Sequence, residues 1–274
     1  MESTTLIDHQ RVIWASARAG FHHTTRHHPE QQVVCRETPA GPDLDITRLY
    51  RFEGRVAVLV HGYRSTLGGV EGAYSRMTDQ LLDNYDYIVK FLWPGSWEVA
   101  LGFLAANIRT TESGRRLAAV LRYLHPSEVH VWGHSLGCKV ALEAVDRLPD
   151  EHQRNTRLIL AAPAVPWHVL AGGARYGTLK TDTRVAWSRR DPVLGGAYRL
   201  SPGNWTTPAL GHSGMRPGGP PAYFRTHTMD FTEQVDSHGG YRDHQEFYRF
   251  GLTHRSLLRG CVVAPGQVSE EAHT

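Results

Sequence analysis

The stretch Val129-His130-Val131-Trp132-Gly133-His134-Ser135-Leu136-Gly137 decides how this chain folds. Residues 128–132 form a short run with β-branched and aromatic side chains, the composition of a buried strand. Past Gly137, the apolar residues Val140, Ala141, Ala144, Val145 and Leu148 continue from Leu136 at helical period. The stretch therefore predicts a strand, a sharp turn and a helix, with Pro149 closing the helix. The glycines two residues to either side of Ser135 have a steric purpose. A strand that reverses directly into a helix strains the backbone at its apex, and only small residues at those offsets let the turn close. The hydroxyl of Ser135 is left exposed at that apex. Beside it, the N–H of Leu136 opens a helix and has no intrahelical partner.

Working outward, the same alternation repeats. Residues 56–60, Val-Ala-Val-Leu-Val, are a continuous apolar run, as expected of a parallel strand buried on both faces. A helix over about 70–83 follows, then a strand over 87–92 that stops at Trp93-Pro94-Gly95. A long helix leads to the face Leu117, Val120, Leu121 and Leu124. Residues 157–161, 183–187 and 226–231 read as further strands, and residues 242–250 as a last helix. Strands alternating with helices predict an α/β fold, a mainly parallel central sheet with helices on both faces. We expect a single domain: an N-terminal segment 1–54 with edge strands at 32–36 and 46–52, a core over 55–260, and a tail over 261–274. Residues 192–223 are rich in Gly and Pro, and a loop of that length is the candidate for a lid.

Composition narrows the function classes. With 41% hydrophobic and 21% charged residues and no apolar run of about 18 to 20, no membrane-spanning segment is expected. The net charge of +3 comes from scattered residues without a basic stripe interleaved with aromatics, so no nucleic-acid partner is expected. Three cysteines, Cys35, Cys138 and Cys261, are too few for a disulfide framework, and the N-terminus lacks a basic and apolar leader, which together point to the cytoplasm. The 17 histidines include the pairs His22-His23 and His27-His28, whose spacing fits no fixed metal motif and suits a solvated loop.

A serine at a strand-turn-helix apex is a candidate nucleophile, and it needs a base, an acid and an oxyanion site. His238, in Asp236-Ser237-His238-Gly239-Gly240-Tyr241, follows the last expected strand; its rivals are His227 within that strand and His244 on the helix beyond. Asp191, in the turn Arg189-Arg190-Asp191-Pro192, is the candidate acid, with Asp236 second and Asp182 and Asp230 less well placed. The amides of Leu136 and of Tyr63, in His61-Gly62-Tyr63, are the candidate oxyanion donors, and His61 is expected to orient that loop. Trp93 and Trp97 are candidates for an aromatic substrate wall, with packing under a loop as the equal alternative. Cys138 reads as a small packed residue.

The segments Val60-His61-Gly62-Tyr63, Leu92-Trp93-Pro94, Gly133-His134-Ser135-Leu136-Gly137, Asp191 and Ser237-His238-Gly239-Gly240-Tyr241 resemble the α/β-hydrolase superfamily. Within it, they resemble a bacterial family of α/β-hydrolases of unknown function, over about residues 55 to 250. The resemblance implies that fold, a Ser135-Asp191-His238 triad and hydrolysis of a small-molecule ester, with no cofactor and no metal required. Thioester, amide or peptide hydrolysis and acyl transfer use the same triad and stay open, as does a hydrolase-fold protein that only binds.

Overall fold

The computed structural model describes residues 12–17, 32–38, 41–45, 54–63, 67–95, 102–124, 127–199, 206–215 and 226–253. The strands are β1 (Val12–Ser16), β2 (Gln32–Thr38), β3 (Gly41–Asp45), β4 (Arg55–Val60), β5 (Tyr87–Leu92), β6 (Glu128–His134), β7 (Thr156–Ala161), β8 (Asp182–Trp187) and β9 (Thr226–Asp230). The α-helices are α1 (Leu67–Leu81), α2 (Gly102–Leu124), α3 (Gly137–Val145), α4 (Asp150–Arg154), α5 (Leu210–Ser213) and α6 (Gln245–Leu252). The described strands form one sheet in the order β3-β2-β1-β5-β4-β6-β7-β8-β9. Every neighbouring pair is parallel except β2 and β3.

Side-chain alternation explains why β4 is apolar throughout. Val56, Val58 and Val60 enter one core, with α2 and α3, while Ala57 and Leu59 enter the other, with α1 and α6. β7 divides in the same way, Leu158 and Leu160 to the first core and Ile159 and Ala161 to the second. Each of the valines, leucines and the isoleucine contributes about 1.5–3 kcal/mol on full burial, so the central strands carry much of the fold's stability. Chain direction matters as well. β5 lies on one side of β4 and β6 on the other, so winding reverses there, and a crevice opens at the carboxyl ends of β4 and β6. The Tyr74 hydroxyl of α1 sets the height of that edge, accepting from the N–H of His61 at 2.8 Å and donating to the carbonyl of Phe91 at 2.6 Å.

Several boundaries differ from the sequence expectation. β1 sits beside β5 inside the sheet, and β3 pairs antiparallel with β2 at the edge; neither was expected. The strand read over 46–52 lies outside the described residues, as do the histidine pairs and the tail over 261–274. α3 ends at Val145, four residues before Pro149, and that proline instead precedes the first turn of α4, where its missing N–H costs nothing. The last helical region is split into a 3-10 turn, Gly240–Asp243, and α6. Of residues 192–223, the described stretches are 192–199, with a π-helical turn (Val193–Ala197), and 206–215, with α5; Leu194, Ala209 and Leu210 are buried.

Candidate active site

Ser135 occupies the reversal between the end of β6 at His134 and the start of α3 at Gly137, and its φ is +55°, in the left-handed region. A non-glycine residue held there costs of the order of 1–3 kcal/mol, so the surroundings must enforce it. They do so through three backbone bonds. The Ser135 N–H donates to the carbonyl of Ala161 at 3.0 Å, and the Ser135 carbonyl accepts from the N–H groups of Cys138 at 3.1 Å and Ala164 at 3.2 Å. The flanking glycines meet backbone on both sides. A Cβ on Gly137 would stand 2.2 Å from the carbonyl oxygen of His61, and one on Gly133 would stand 3.0 Å from the Cα of Cys138.

The turn after β8 and the loop after β9 bring two more side chains to Ser135. His238 Nε2 lies 2.8 Å from Ser135 Oγ, and His238 Nδ1 lies 2.7 Å from Asp191 Oδ2. Asp191 is buried, and its other oxygen, Oδ1, accepts from the N–H groups of Val193 and Leu194 at 3.0 Å each, so the π-helical turn fixes the carboxylate. Burial pushes the Asp191 carboxyl upward, yet the hydrogen bond from His238 and those amides outweigh it, holding the group below its usual value. Ser188 ties the two loops together, its hydroxyl donating to the carbonyl of Val235 at 2.5 Å. The result is a path from hydroxyl to imidazole to carboxylate along which a proton can move from Oγ to Nε2.

None of the rival side chains reaches Ser135. Asp182 begins β8 at the opposite edge of the sheet, where Arg157 (2.8 Å) and Arg184 (3.1 Å) hold it. Asp236 is exposed, and Asp230 accepts from the N–H of Thr232. His227 lies inside β9, 3.8 Å from Asp182, and His244 caps α6.

At the carboxyl end of β4, Gly62 packs against the apex so closely that a Cβ would stand 3.0 Å from the Cβ of Ser135. Tyr63 follows it in the turn, and Leu136 follows Ser135. Among the described residues, no backbone carbonyl takes the N–H of either. His61 is buried and shapes this loop: Nδ1 donates to the Gly62 carbonyl at 2.9 Å, and Nε2 accepts from the N–H of Trp93 at 3.3 Å. Trp93 stacks on that ring with centroids 5.5 Å apart, and its indole N–H donates to the His61 carbonyl at 2.7 Å. Trp93 is fully buried, so it supports the loop and offers no face to a substrate wall. Trp97 lies outside the described residues.

One contact had no counterpart in the sequence reading. His134, immediately before Ser135, donates from Nε2 to the backbone carbonyl of His238 at 2.6 Å. Burial, together with the positive character of the nearby His238, lowers its pKa to about 3, so the ring is a neutral donor. The only sequence signal was an imidazole in the motif itself; its partner lies about a hundred residues on. Cys138 is buried, its thiol donating to the Ala161 carbonyl at 3.4 Å with its pKa raised by burial, as suits a packed residue. Among the described residues, no group of three or more His, Cys, Asp or Glu stands together as a metal site, and no helix is long and apolar enough to cross a membrane.

Comparison with curated proteins finds no match. Among solved structures, the chain is similar to Aspergillus fumigatus lipase B, at 13% identity and a TM-score of 0.43, with 69% of this chain and 49% of that one covered. This chain therefore spans about half the length of that lipase. It is also similar to a Xanthomonas campestris protein described as a member of the a/b serine hydrolases without lid, at 17% identity and a TM-score of 0.42, covering 85% of this chain and 96% of that one. The model of one family, described as alpha/beta hydrolase of unknown function (DUF900), matches residues 46–203, a span that includes Ser135 and Asp191 and ends before His238. That span is more than half of the chain, and the chain belongs to this family of α/β-hydrolases.

Proposed function

We propose that this hydrolase-fold protein is a serine esterase that cleaves a small carboxylic ester through an acyl-enzyme on Ser135. The observation that carries this reading is the unbroken relay of 2.8 Å from Ser135 Oγ to His238 Nε2 and 2.7 Å from His238 Nδ1 to Asp191, at a serine held at φ +55°. In it, Oγ attacks the ester carbonyl while His238 removes its proton. Asp191 keeps the histidine proton on Nδ1, leaving Nε2 free to accept. The developing oxyanion is met by the N–H groups of Leu136 and Tyr63, which need no reorganisation. His238 then returns the proton to the leaving alcohol, and water repeats the cycle on the acyl group.

Labelling with a fluorophosphonate probe, followed by peptide mapping, tests the nucleophile. Wild type should label on the peptide containing Ser135, and Ser135→Ala should not label. Absence of labelling in the wild type, or equal labelling of the two, overturns the reading. A panel of esters, thioesters and amides then tests the bond class, with esters expected to turn over fastest.

A further inference from the structure

Between α1 and the sheet, beside the His61-Gly62-Tyr63 loop, lies a cavity of about 240 Å³ whose lining includes Tyr63 and His134 but not Ser135. Its apolar wall comprises Val70, Ala73 and Met77 of α1 facing Trp132 and Phe247. Its polar residues include His134 and Arg242. Arg242 donates from Nε to the carbonyl of Gly239 at 3.1 Å. Among the described residues, no carboxylate lies within ion-pair distance of Arg242; its neighbour Asp243 is shared with Arg76 at 4.0 Å. Burial and the nearby charge of Arg76 both disfavour the guanidinium cation, more than Asp243 compensates. An arginine cannot relieve this by losing its proton, so the wall is short of an anion.

We propose that this cavity binds a small monocarboxylate with an apolar body, and that its occupancy is felt at His238. Size and polarity select the ligand. A dry cavity of about 150 Å³ accommodates benzene, so this one holds an apolar group of about six carbons with a carboxylate besides. A carboxylate matches the guanidinium fork in shape and charge, while the apolar body meets Val70, Ala73 and Met77. The coupling follows from two bonds. His134 holds the carbonyl of His238 and Arg242 holds the carbonyl of Gly239, and both side chains are walls of the same cavity. A ligand that engages the terminal nitrogens of Arg242 therefore bears on the same side chain whose Nε steadies the loop that carries His238. The coupling rests on His238 as the base; the binding does not.

Calorimetry on Ser135→Ala protein tests the site with sodium hexanoate as the probe and hexanol as its uncharged control. One hexanoate should bind per chain. Arg242→Gln should weaken it by about tenfold while leaving hexanol unchanged, and Ala73→Leu should abolish it by filling the cavity. Thermal melts establish that both variants fold, and the Arg242→Gln result decides alone where the leucine variant does not. No binding of hexanoate, or binding that survives both substitutions, overturns the site. In wild type, hexanoate should change the rate of fluorophosphonate labelling at Ser135 with the same half-saturation as in calorimetry, and an unchanged rate overturns the coupling. A protein that never labels, even without hexanoate, overturns the hydrolase reading and the coupling together, while the binding stands or falls on calorimetry.

Discussion

The imidazole of His134 donates through Nε2 to the backbone carbonyl of His238 at 2.6 Å, so the residue before Ser135 holds the loop that delivers an imidazole to Ser135. If His134 positions His238 in this way, His134→Ala should lower kcat for an ester by about 10²-fold, the scale of a misplacement near 1 Å, with little change in KM. His134→Gln keeps a donor and should recover a large part of that loss. Steady-state kinetics on both variants check this; a kcat unchanged in His134→Ala would remove the positioning role.

Asp191 accepts hydrogen bonds from the Nδ1–H of His238 and from two backbone amides, so an amide side chain would preserve its size while losing its hold on the tautomer. Asp191→Asn should fold normally and lose roughly 10⁴-fold in kcat. A loss below about tenfold, with an intact circular dichroism spectrum, would point to a different acid, and Asp236→Asn would be the next variant to measure.

The apex depends on close backbone approach. Gly137→Ala sets a Cβ 2.2 Å from a backbone oxygen of the neighbouring strand end, and should destabilise the fold by about 1–3 kcal/mol. Gly72, exposed on α1, has nothing within 4 Å of where a Cβ would stand, and Gly72→Ala should stabilise by about 0.5–1 kcal/mol. Urea unfolding of the pair gives opposite shifts on this account; equal shifts would contradict it.

Acid should weaken the fold from a pH well above the carboxylate range. His134 has a folded pKa of about 3, lowered by burial first and then by His238. An unfolded histidine titrates near 6.5, so between these values the unfolded chain binds more protons and stability falls on acidification, by up to about 1.4 kcal/mol per pH unit for this group. Buried His130, also lowered, acts in the same direction. Further down, Glu128 is held at about 2, chiefly by its hydrogen bond to His130, and its contribution is lost as pH drops below its usual value of about 4.5. Urea midpoints should therefore decline from about pH 7 to about pH 5, less steeply in His134→Gln. Midpoints constant over that range would contradict the assignment.

Much of the fold was legible because independent signals met at the same residues. At 128–148 a buried strand, two small residues around a serine and a helical period agree, and at β4 a run of five apolar residues admits only a strand with a core on each face. β3 was illegible for the opposite reason. It begins Gly41-Pro42 and carries two aspartates, which read as a turn, yet Pro42 sits on the sheet's edge strand, where a missing N–H is tolerated. β1 has only five residues and neither glycine nor proline at either end, so little local signal separates it from irregular chain. Around Ser135, chain order alone indicated Asp191 and His238, which the fold brings within hydrogen-bonding distance of one another. The contact from His134 to the His238 loop, and the burial of Trp93, depend on packing between distant segments, which no local pattern encodes.

A nucleophilic Ser135 must carry a covalent acyl group during turnover. Mixing the protein with an excess of p-nitrophenyl acetate, quenching in acid within the first turnover and mapping the peptides by mass spectrometry should find one acetyl group on the peptide containing Ser135. It should also find a burst of p-nitrophenol equal to the protein concentration. Release of p-nitrophenol with no acetylated Ser135 peptide, or the same acetylation in Ser135→Ala, would contradict it.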